Sequence, residues 1–132
     1  MAHDACGESV REALRFFPKY FPDKPFVAIC CNSWLLNGQI EDLMPPNSNI
    51  VRFQREFYLH PIGMDGNVLL NAVFQRIPPN VAEAPRDTGF QRAIVDHVRG
   101  GGKLIPRAGG CFLLREDINW GSEVYRRQKP LW

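Results

Sequence analysis

The run from Phe26 to Cys31 constrains the fold more than any other feature of this chain, because all six of its side chains are apolar. A strand with apolar residues at both odd and even positions needs cover on both faces, which is typical of the middle of a sheet between helices. The run therefore predicts a central strand. In that position we expect the thiols of Cys30 and Cys31 to be buried and reduced, because free cysteine packs as a small apolar side chain.

Helical patterns lie on both sides of this strand. Val10, Leu14 and Phe17 recur at helical spacing. Asp4 can cap this helix, and Pro18 is expected to kink or end it because proline has no N–H for the preceding turn. Shorter helices are predicted over Gln39–Met44, from Ser48 or Asn49 onward, and after Asp65.

The clearest helix begins at Thr88. Thr88 and Gln91 have the spacing of a capping box, in which each side chain bonds the other residue's backbone N–H. Three glycines, Gly100 to Gly102, are expected to end the helix. Because these glycines follow a helix and do not precede one, they do not predict a phosphate-binding loop.

Two further strands complete the predicted sheet. Phe57–Ile62 is expected to be an edge strand, because Pro61 cannot donate to a neighbouring strand. Cys111–Arg115 is the last strand candidate. Three strands with helices packed on them predict an α/β fold, with an α+β arrangement left open. We expect one domain over residues 1–132, with an irregular tail from about residue 117.

Composition narrows the classes of function. The 132 residues carry a formal net charge of +2, and no apolar run approaches the roughly eighteen residues of a membrane helix. The N-terminus has no secretion-signal pattern, which favours a cytoplasmic protein. Basic residues are concentrated after Arg99, and we interpret them as a solvated surface and not as a nucleic-acid site. The four cysteines include no Cys-x-x-Cys pair and no histidine at metal-ligand spacing, so no metal site is predicted.

The first candidate site follows the apolar run directly. Ligands of open α/β sheets bind beyond the carboxyl ends of strands, where Asn32, Ser33 and Trp34 lie. Asn32 and Ser33 would then hydrogen-bond a ligand, with Trp34 forming a wall. The alternative is structural, with the two polar side chains bonding backbone in a turn and Trp34 filling the core.

Two histidines are candidates for proton transfer. His97 lies about 20° from Phe90 on a helical wheel, so it faces the apolar side of its helix, where it either completes the core edge or faces a pocket. His60 follows Tyr58 by two residues, which places both on one face of the predicted strand. Such a pair can transfer protons, although an exposed strand face explains it equally well.

Two longer segments resemble a known family. CNSWLLNGQIEDLMPPNSNIVRFQREF and TGFQRAIVDHVRGGGKL, at 31–57 and 88–104, resemble the C-terminal domain of bacterial GNAT-like acyltransferases. The similarity covers most of the chain from Ala5 to Leu114. The matching positions are Cys31, Ser33, Trp34, Leu35, Leu36, Ser48, Asn49, Ile50, Phe53, Phe57, Thr88, Gln91, Arg92, Asp96 and His97.

The resemblance implies half of a GNAT-like fold, transferring an acyl group from acyl-CoA to an amine or similar acceptor. Acyl-CoA would be a co-substrate, with no tightly bound cofactor. Tyr58, His60 and His97 are then the catalytic candidates. Gln91 and Arg92 join the ligand-binding candidates of the first site.

The chain departs from the family pattern in two ways. Asn32 stands where many relatives have histidine, which removes one acid/base group. The chain also starts only a few residues before the first helix, so we expect the preceding strand and pyrophosphate loop to be missing. An unpaired sheet edge would result, and it predicts either a homodimer or a separate N-terminal half. A non-catalytic module for ligand binding or assembly is the alternative function.

Overall fold

The computed structural model describes residues 2–63 and 66–124. Within these ranges the helices are α1 (His3–Tyr20), α2 (Ile40–Leu43), α3 (Asn49–Arg55), α4 (Val68–Phe74) and α5 (Gly89–Arg99). The strands are β1 (Ala28–Ser33), β2 (Tyr58–Pro61) and β3 (Gly109–Leu114), and single 3-10 turns lie at Trp34–Leu36, Val81–Glu83 and Arg115–Asp117. The cap predicted at Asp65 and the last eight residues of the tail lie outside the described part of the chain.

The three strands form an antiparallel sheet in the order β1-β3-β2. The prediction that the apolar run is the central strand is therefore wrong, because β3 takes the centre and β1 lies at an edge. Val27, just before β1, is 72% exposed. The edge position of β2 is confirmed.

The central position of β3 depends on glycine. A Cβ at Gly109 would overlap the backbone carbonyl of Leu36, so only glycine lets the start of β3 approach the 3-10 turn this closely. Strand propensity and apolar patterning do not reveal such an approach, because glycine is depleted in strands.

The prediction that Cys30 and Cys31 are buried is also wrong, because both are exposed at the sheet edge. The buried cysteine is Cys111, in the central strand. Burial, with Cys31 nearby, raises the pKa of the Cys111 thiol to about 12. This thiol stays protonated at neutral pH and acts as a packing group.

The two faces of the sheet differ. Successive residues of a strand point to opposite faces, and one face carries Cys111 and Leu113. These two residues pack with Leu36 and Phe57 in a core that α3 helps to cover. The other face carries Phe112, which is partly exposed.

A second core lies between α4 and α5. Leu69, Leu70 and Phe74 of α4 pack with Ile94 and Val95 of α5. The capping box at Thr88 is confirmed in both directions, and the predicted Ser48 cap of α3 is confirmed as well. Local sequence signals therefore define this helical part of the fold accurately.

Helix α1 begins at His3, with Ala2 in the capping position predicted for Asp4. Pro18 lies inside the last turn, and the helix ends two residues later at Tyr20. The described helices include none that is long and apolar enough to cross a membrane.

Candidate functional site

The open face of the sheet brings two polar side chains together over a glycine. Gly110 of β3 pairs with Asn32 of β1 on one side and with His60 of β2 on the other. A Cβ at Gly110 would lie 2.7 Å from Nε2 of His60 and 2.8 Å from Oδ1 of Asn32. Both side chains therefore occupy the space that the glycine leaves free, and they face each other across the central strand.

The His60 ring has one nitrogen available for chemistry. Its Nδ1 lies 3.3 Å from the carbonyl oxygen of Pro61, and because a carbonyl only accepts, Nδ1 is the donor. In the neutral ring Nε2 is then unprotonated, and this is the nitrogen near Gly110 and Asn32. His60 is exposed, so a ligand on the open face can reach this basic nitrogen.

Tyr58 adds an acid to the same face. Its ring lies 5.3 Å from the ring of Phe112, and the His60 ring lies 6.2 Å from the same ring. Partial burial raises the pKa of Tyr58 above its ordinary value, and the Asp117 carboxylate, which accepts its hydrogen bond, raises it further. The phenol is therefore protonated at neutral pH.

Ser33 and Trp34 lie beside this face but have structural roles. The Ser33 hydroxyl accepts from the backbone N–H of Leu35 at 3.2 Å, which caps the 3-10 turn. Trp34 packs edge-on against Phe90 of α5, with ring centroids 5.9 Å apart. For these two residues the structural alternative describes the contacts better than the ligand-binding one.

The three candidate side chains on α5 form hydrogen bonds with neighbouring backbone groups. Gln91 accepts from Thr88 and donates to the carbonyl of Val73, and Arg92 donates to the carbonyl of Asp87. His97 is half-buried, and its Nε2 lies 3.2 Å from the carbonyl of Lys103, which agrees with the predicted position at the core edge. The structure does not bring these residues to the open sheet face.

Sequence reasoning missed a cleft at one end of the sheet. The cleft has a volume of about 410 Å³, and His60 lines it together with Asn37, Gln39 and Arg107. In the sequence Asn37 and Gly38 only precede a short predicted helix, Gln39–Met44, and segments so far apart in the chain give no local signal of a cleft. In the described ranges no three His, Cys, Asp or Glu side chains are grouped closely enough to hold a metal ion.

Comparisons with known proteins test the predicted family and fold. The model of a family described as GNAT-like C-terminal domain matches residues 1–112, which confirms the resemblance. The chain is also similar to a crystal structure of an acyltransferase in complex with CoA and 10C-teicoplanin, with 26% identity and a TM-score of 0.65 over 84% of this chain and 36% of that one. A structure of an acyltransferase with decanoyl-CoA and teicoplanin gives the same values.

A third structure, an acyltransferase in complex with decanoyl-CoA, is 25% identical with a TM-score of 0.59 over 81% of this chain and 34% of that one. These structures confirm the predicted fold class. This chain spans about a third of the length of the solved structures that it matches. None of the curated proteins matches it.

Proposed function

Because this chain belongs to the family of GNAT-like C-terminal domains, we propose that it forms part of an enzyme that transfers an acyl group from acyl-CoA to an amine or similar acceptor. The observation that carries the proposal is the similarity of 84% of the chain to an acyltransferase solved with CoA. Since the match spans 36% of that structure, the activity is proposed for this domain as one part of a larger enzyme.

The open sheet face supplies the groups that acyl transfer needs. The amine nitrogen attacks the thioester carbonyl carbon, the N–C bond forms, and the C–S bond breaks to release CoA. Nε2 of His60 is proposed to take the proton from the attacking nitrogen. Asn32 faces the same space through Oδ1, and a rotation of its amide that brings the Nδ2 donor there is proposed to supply a hydrogen bond to the carbonyl oxygen as negative charge develops.

Tyr58 is proposed to protonate the departing CoA thiolate. The raised pKa of Tyr58 keeps its proton in place at neutral pH, so the group is in the acidic form when the thiolate leaves. Asp117 holds the hydroxyl hydrogen bond in the absence of substrate. The overall reaction gives an amide and free CoA, and no redox step is involved.

The edge of β1 that pairs with no strand among the described residues is the proposed site for a partner. This strand pairs with β3 on one side, and both of its exposed thiols lie at the edge. Aromatic side chains at the end of α1, including Phe16, Phe17 and Tyr20, are also exposed nearby. We propose that a separate N-terminal half or a second copy covers this region, because exposed strand edges recruit further strands.

A cytoplasmic location also remains a proposal. It is supported by the four free cysteines, two of them exposed, since such thiols persist best in a reducing compartment. Acyl-CoA is proposed as a co-substrate, without a tightly bound cofactor.

Thermal unfolding with acyl-CoA tests the function. We expect decanoyl-CoA at a hundred times its Kd to stabilise the chain by about 2.7 kcal/mol, because it binds the folded state. Replacing His60 with Gln and Asn32 with Ala is expected to remove most of this effect, whereas Asn71→Ala, on the exposed surface of α4, serves as the matched control. A chain that binds no acyl-CoA, alone or in its native assembly, would support the non-catalytic assembly module instead.

A further inference from the structure

The cleft at the end of the sheet is lined by residues 59–61 of β2 and by two connecting segments. One wall is the turn from Leu36 to Gln39, and the facing wall is the segment 105–109 that leads into β3. Residues 102–108 belong to no helix or strand. A backbone hydrogen bond from the N–H of Leu69 to the carbonyl of Pro106, together with several side-chain hydrogen bonds, holds this segment in place.

The side chain of Asn37 links the two segments by hydrogen bonds. It is 5% exposed, and its Nδ2 donates to the carbonyl oxygens of Ile105 and Arg107 at 2.6 and 2.8 Å. Its Oδ1 accepts from the backbone N–H of Gln39 at 2.9 Å. The polar atoms of this buried amide therefore bond the backbone of the two cleft walls. These bonds hold the cleft open without a ligand.

Gln39 holds the same segment nearer its start, at Lys103 and Ile105. Its Nε2 donates to the carbonyl of Lys103 at 2.7 Å, and its Oε1 accepts from the N–H of Ile105 at 2.8 Å. His97 donates to the same Lys103 carbonyl at 3.2 Å. This role explains the half-buried histidine of α5 without assigning it to catalysis.

The side chains left facing the cleft combine apolar surface with positive charge. Leu59, Pro61 and Ile105 line the cleft, and Arg107 lies among them. Arg107 is exposed, and its guanidinium is a positively charged group with five N–H donors. Asp42 also lines the cleft, but it already has an interaction partner.

His60 connects this cleft to the open sheet face. Its ring contributes to the lining of the cleft and also lies over Gly110 beside Asn32. A molecule in the cleft therefore ends next to the nitrogen that is proposed to act as the base.

We propose that this cleft binds the acyl acceptor, and that the acceptor has an apolar body and an anionic group, either a carboxylate or a phosphate. The anionic group lies against Arg107, the body contacts Leu59 and Ile105, and the nucleophile faces His60. A guanidinium binds both oxyanions through paired hydrogen bonds, so the two share one recognition chemistry. This assignment rests on the proposed acyl transfer, for which it names the class of acceptor.

Four probes separate the possible ligands in an NMR titration of the full chain. We expect octanoate and octyl phosphate to shift the resonances of Arg107 and His60 saturably, and octylamine, which has the same chain and the opposite charge, to leave them unchanged. The tighter of the two anions identifies the acceptor's charged group. Equal binding of octylamine would overturn the proposal. CoA is the fourth probe, since its phosphates are a competing source of anionic charge.

Two glycines provide a blocking variant and its control. A Cβ at Gly38, in the wall of the cleft, meets no atom within 4 Å, and the same holds at Gly63, outside the cleft. Neither has a left-handed backbone, so both accept a side chain without strain. Gly38→Trp is expected to abolish octanoate binding, and Gly63→Trp to leave it unchanged. Arg107→Gln should weaken octanoate binding about tenfold by removing a charge-assisted contact.

The outcomes distinguish failure of the acceptor-site proposal from failure of the acyltransferase proposal. If Gly38→Trp abolishes the binding of CoA itself, the cleft holds the co-substrate and the acceptor assignment is wrong. If octanoate binds normally to Gly38→Trp, the ligand lies elsewhere and the assignment is again wrong. If octanoate behaves as expected but acyl-CoA fails to bind the native assembly, the cleft is a ligand site and the acyltransferase proposal is the part that fails.

Discussion

His60 and His3 have opposite surroundings. His60 lies over Gly110 on the open face of the sheet and is exposed. His3 lies at the start of α1, is 5% exposed, and packs against Trp120, whose ring covers Gly7.

The buried histidine uses both of its nitrogens. Arg52 donates to Nδ1 at 3.1 Å, and because arginine only donates, Nδ1 accepts and Nε2 carries the proton. Nε2 then donates to Glu56 at 3.1 Å. The second Glu56 oxygen accepts from the backbone N–H of Gly121 at 2.8 Å.

The two histidines show how a side chain with a structural role can be distinguished from one that is available to a ligand. The network of His3 joins α1, α3 and the segment after β3, and among the described residues no buried side-chain nitrogen or oxygen lacks a partner. His60 keeps a basic nitrogen that faces open space. A satisfied buried group contributes to stability, whereas an exposed group with spare capacity is available to a ligand.

The largest effect is expected where the buried network is broken. Glu56 is 2% exposed, and Glu56→Ala leaves the Nε2–H of His3 and the N–H of Gly121 without their acceptor. We expect a loss of about 3 kcal/mol in the free energy of unfolding, measured with urea, because two buried donors lose their acceptor. Glu56→Gln keeps an acceptor and should lose clearly less. Equal losses would mean that the pair contributes only packing.

A smaller effect is expected from the glycine in the same region. A Cβ at Gly7 would lie 2.7 Å from Cγ of Trp120, a ring that is anchored by a hydrogen bond from its Nε1 to the carbonyl of His3. Gly7→Ala must displace this ring, and we expect it to cost about 2 kcal/mol in unfolding free energy. The quenching and shift of Trp120 fluorescence report whether the ring moves. An unchanged spectrum with unchanged stability would show that the contact is loose.

The matching change on the open face should separate stability from binding. Gly110→Ala also creates close contacts, but with the ends of His60 and Asn32, which can rotate toward solvent. We expect a cost below about 1 kcal/mol in urea unfolding, together with loss of acyl-CoA binding in a thermal-shift titration. If Gly110→Ala destabilises the chain more than Gly7→Ala does, the open face is part of the structural core and the comparison fails.

The sequence predicts the helical half of this fold better than the sheet. Thr88 and Ser48 are caps whose partners lie three residues away, so local spacing determines them. The position of β3 depends on Gly109 approaching a turn more than seventy residues earlier in the chain, and no local pattern encodes that approach. The apolar run before Asn32 was therefore assigned to the centre of the sheet although it forms an edge.

The candidate site was predictable to a similar degree. Tyr58 and His60 share a face by simple alternation along a strand, and the structure confirms that placement. Asn32 joins them only through the register of β1 and β2 on β3, which the sequence does not reveal. Arg107 was missed because its cleft is made by segments far apart in the chain.

The smallest expected effect concerns the acid on the open face. Partial burial and the Asp117 carboxylate raise the pKa of Tyr58, so Asp117→Asn should lower that pKa toward the ordinary tyrosine value. A group whose pKa is raised on folding binds its proton more tightly in the folded state. Its stabilising contribution is therefore complete below the ordinary pKa near 10 and is lost as the pH rises through the folded value.

The direction of this pKa shift can be measured directly at Tyr58. In an NMR pH titration of the Tyr58 ring, Asp117→Asn should move the midpoint to lower pH, while stability at pH 7 stays within about 0.5 kcal/mol, as is usual for surface changes. Glu116→Ala, beside it on the exposed surface, is the matched control and should leave the midpoint closer to that of the original chain. If the midpoint is unchanged in Asp117→Asn but shifts in Glu116→Ala, the Tyr58 hydroxyl does not bond Asp117. Tyr58 would then be held on the open face by its stacking on Phe112 alone, with no fixed direction for its proton.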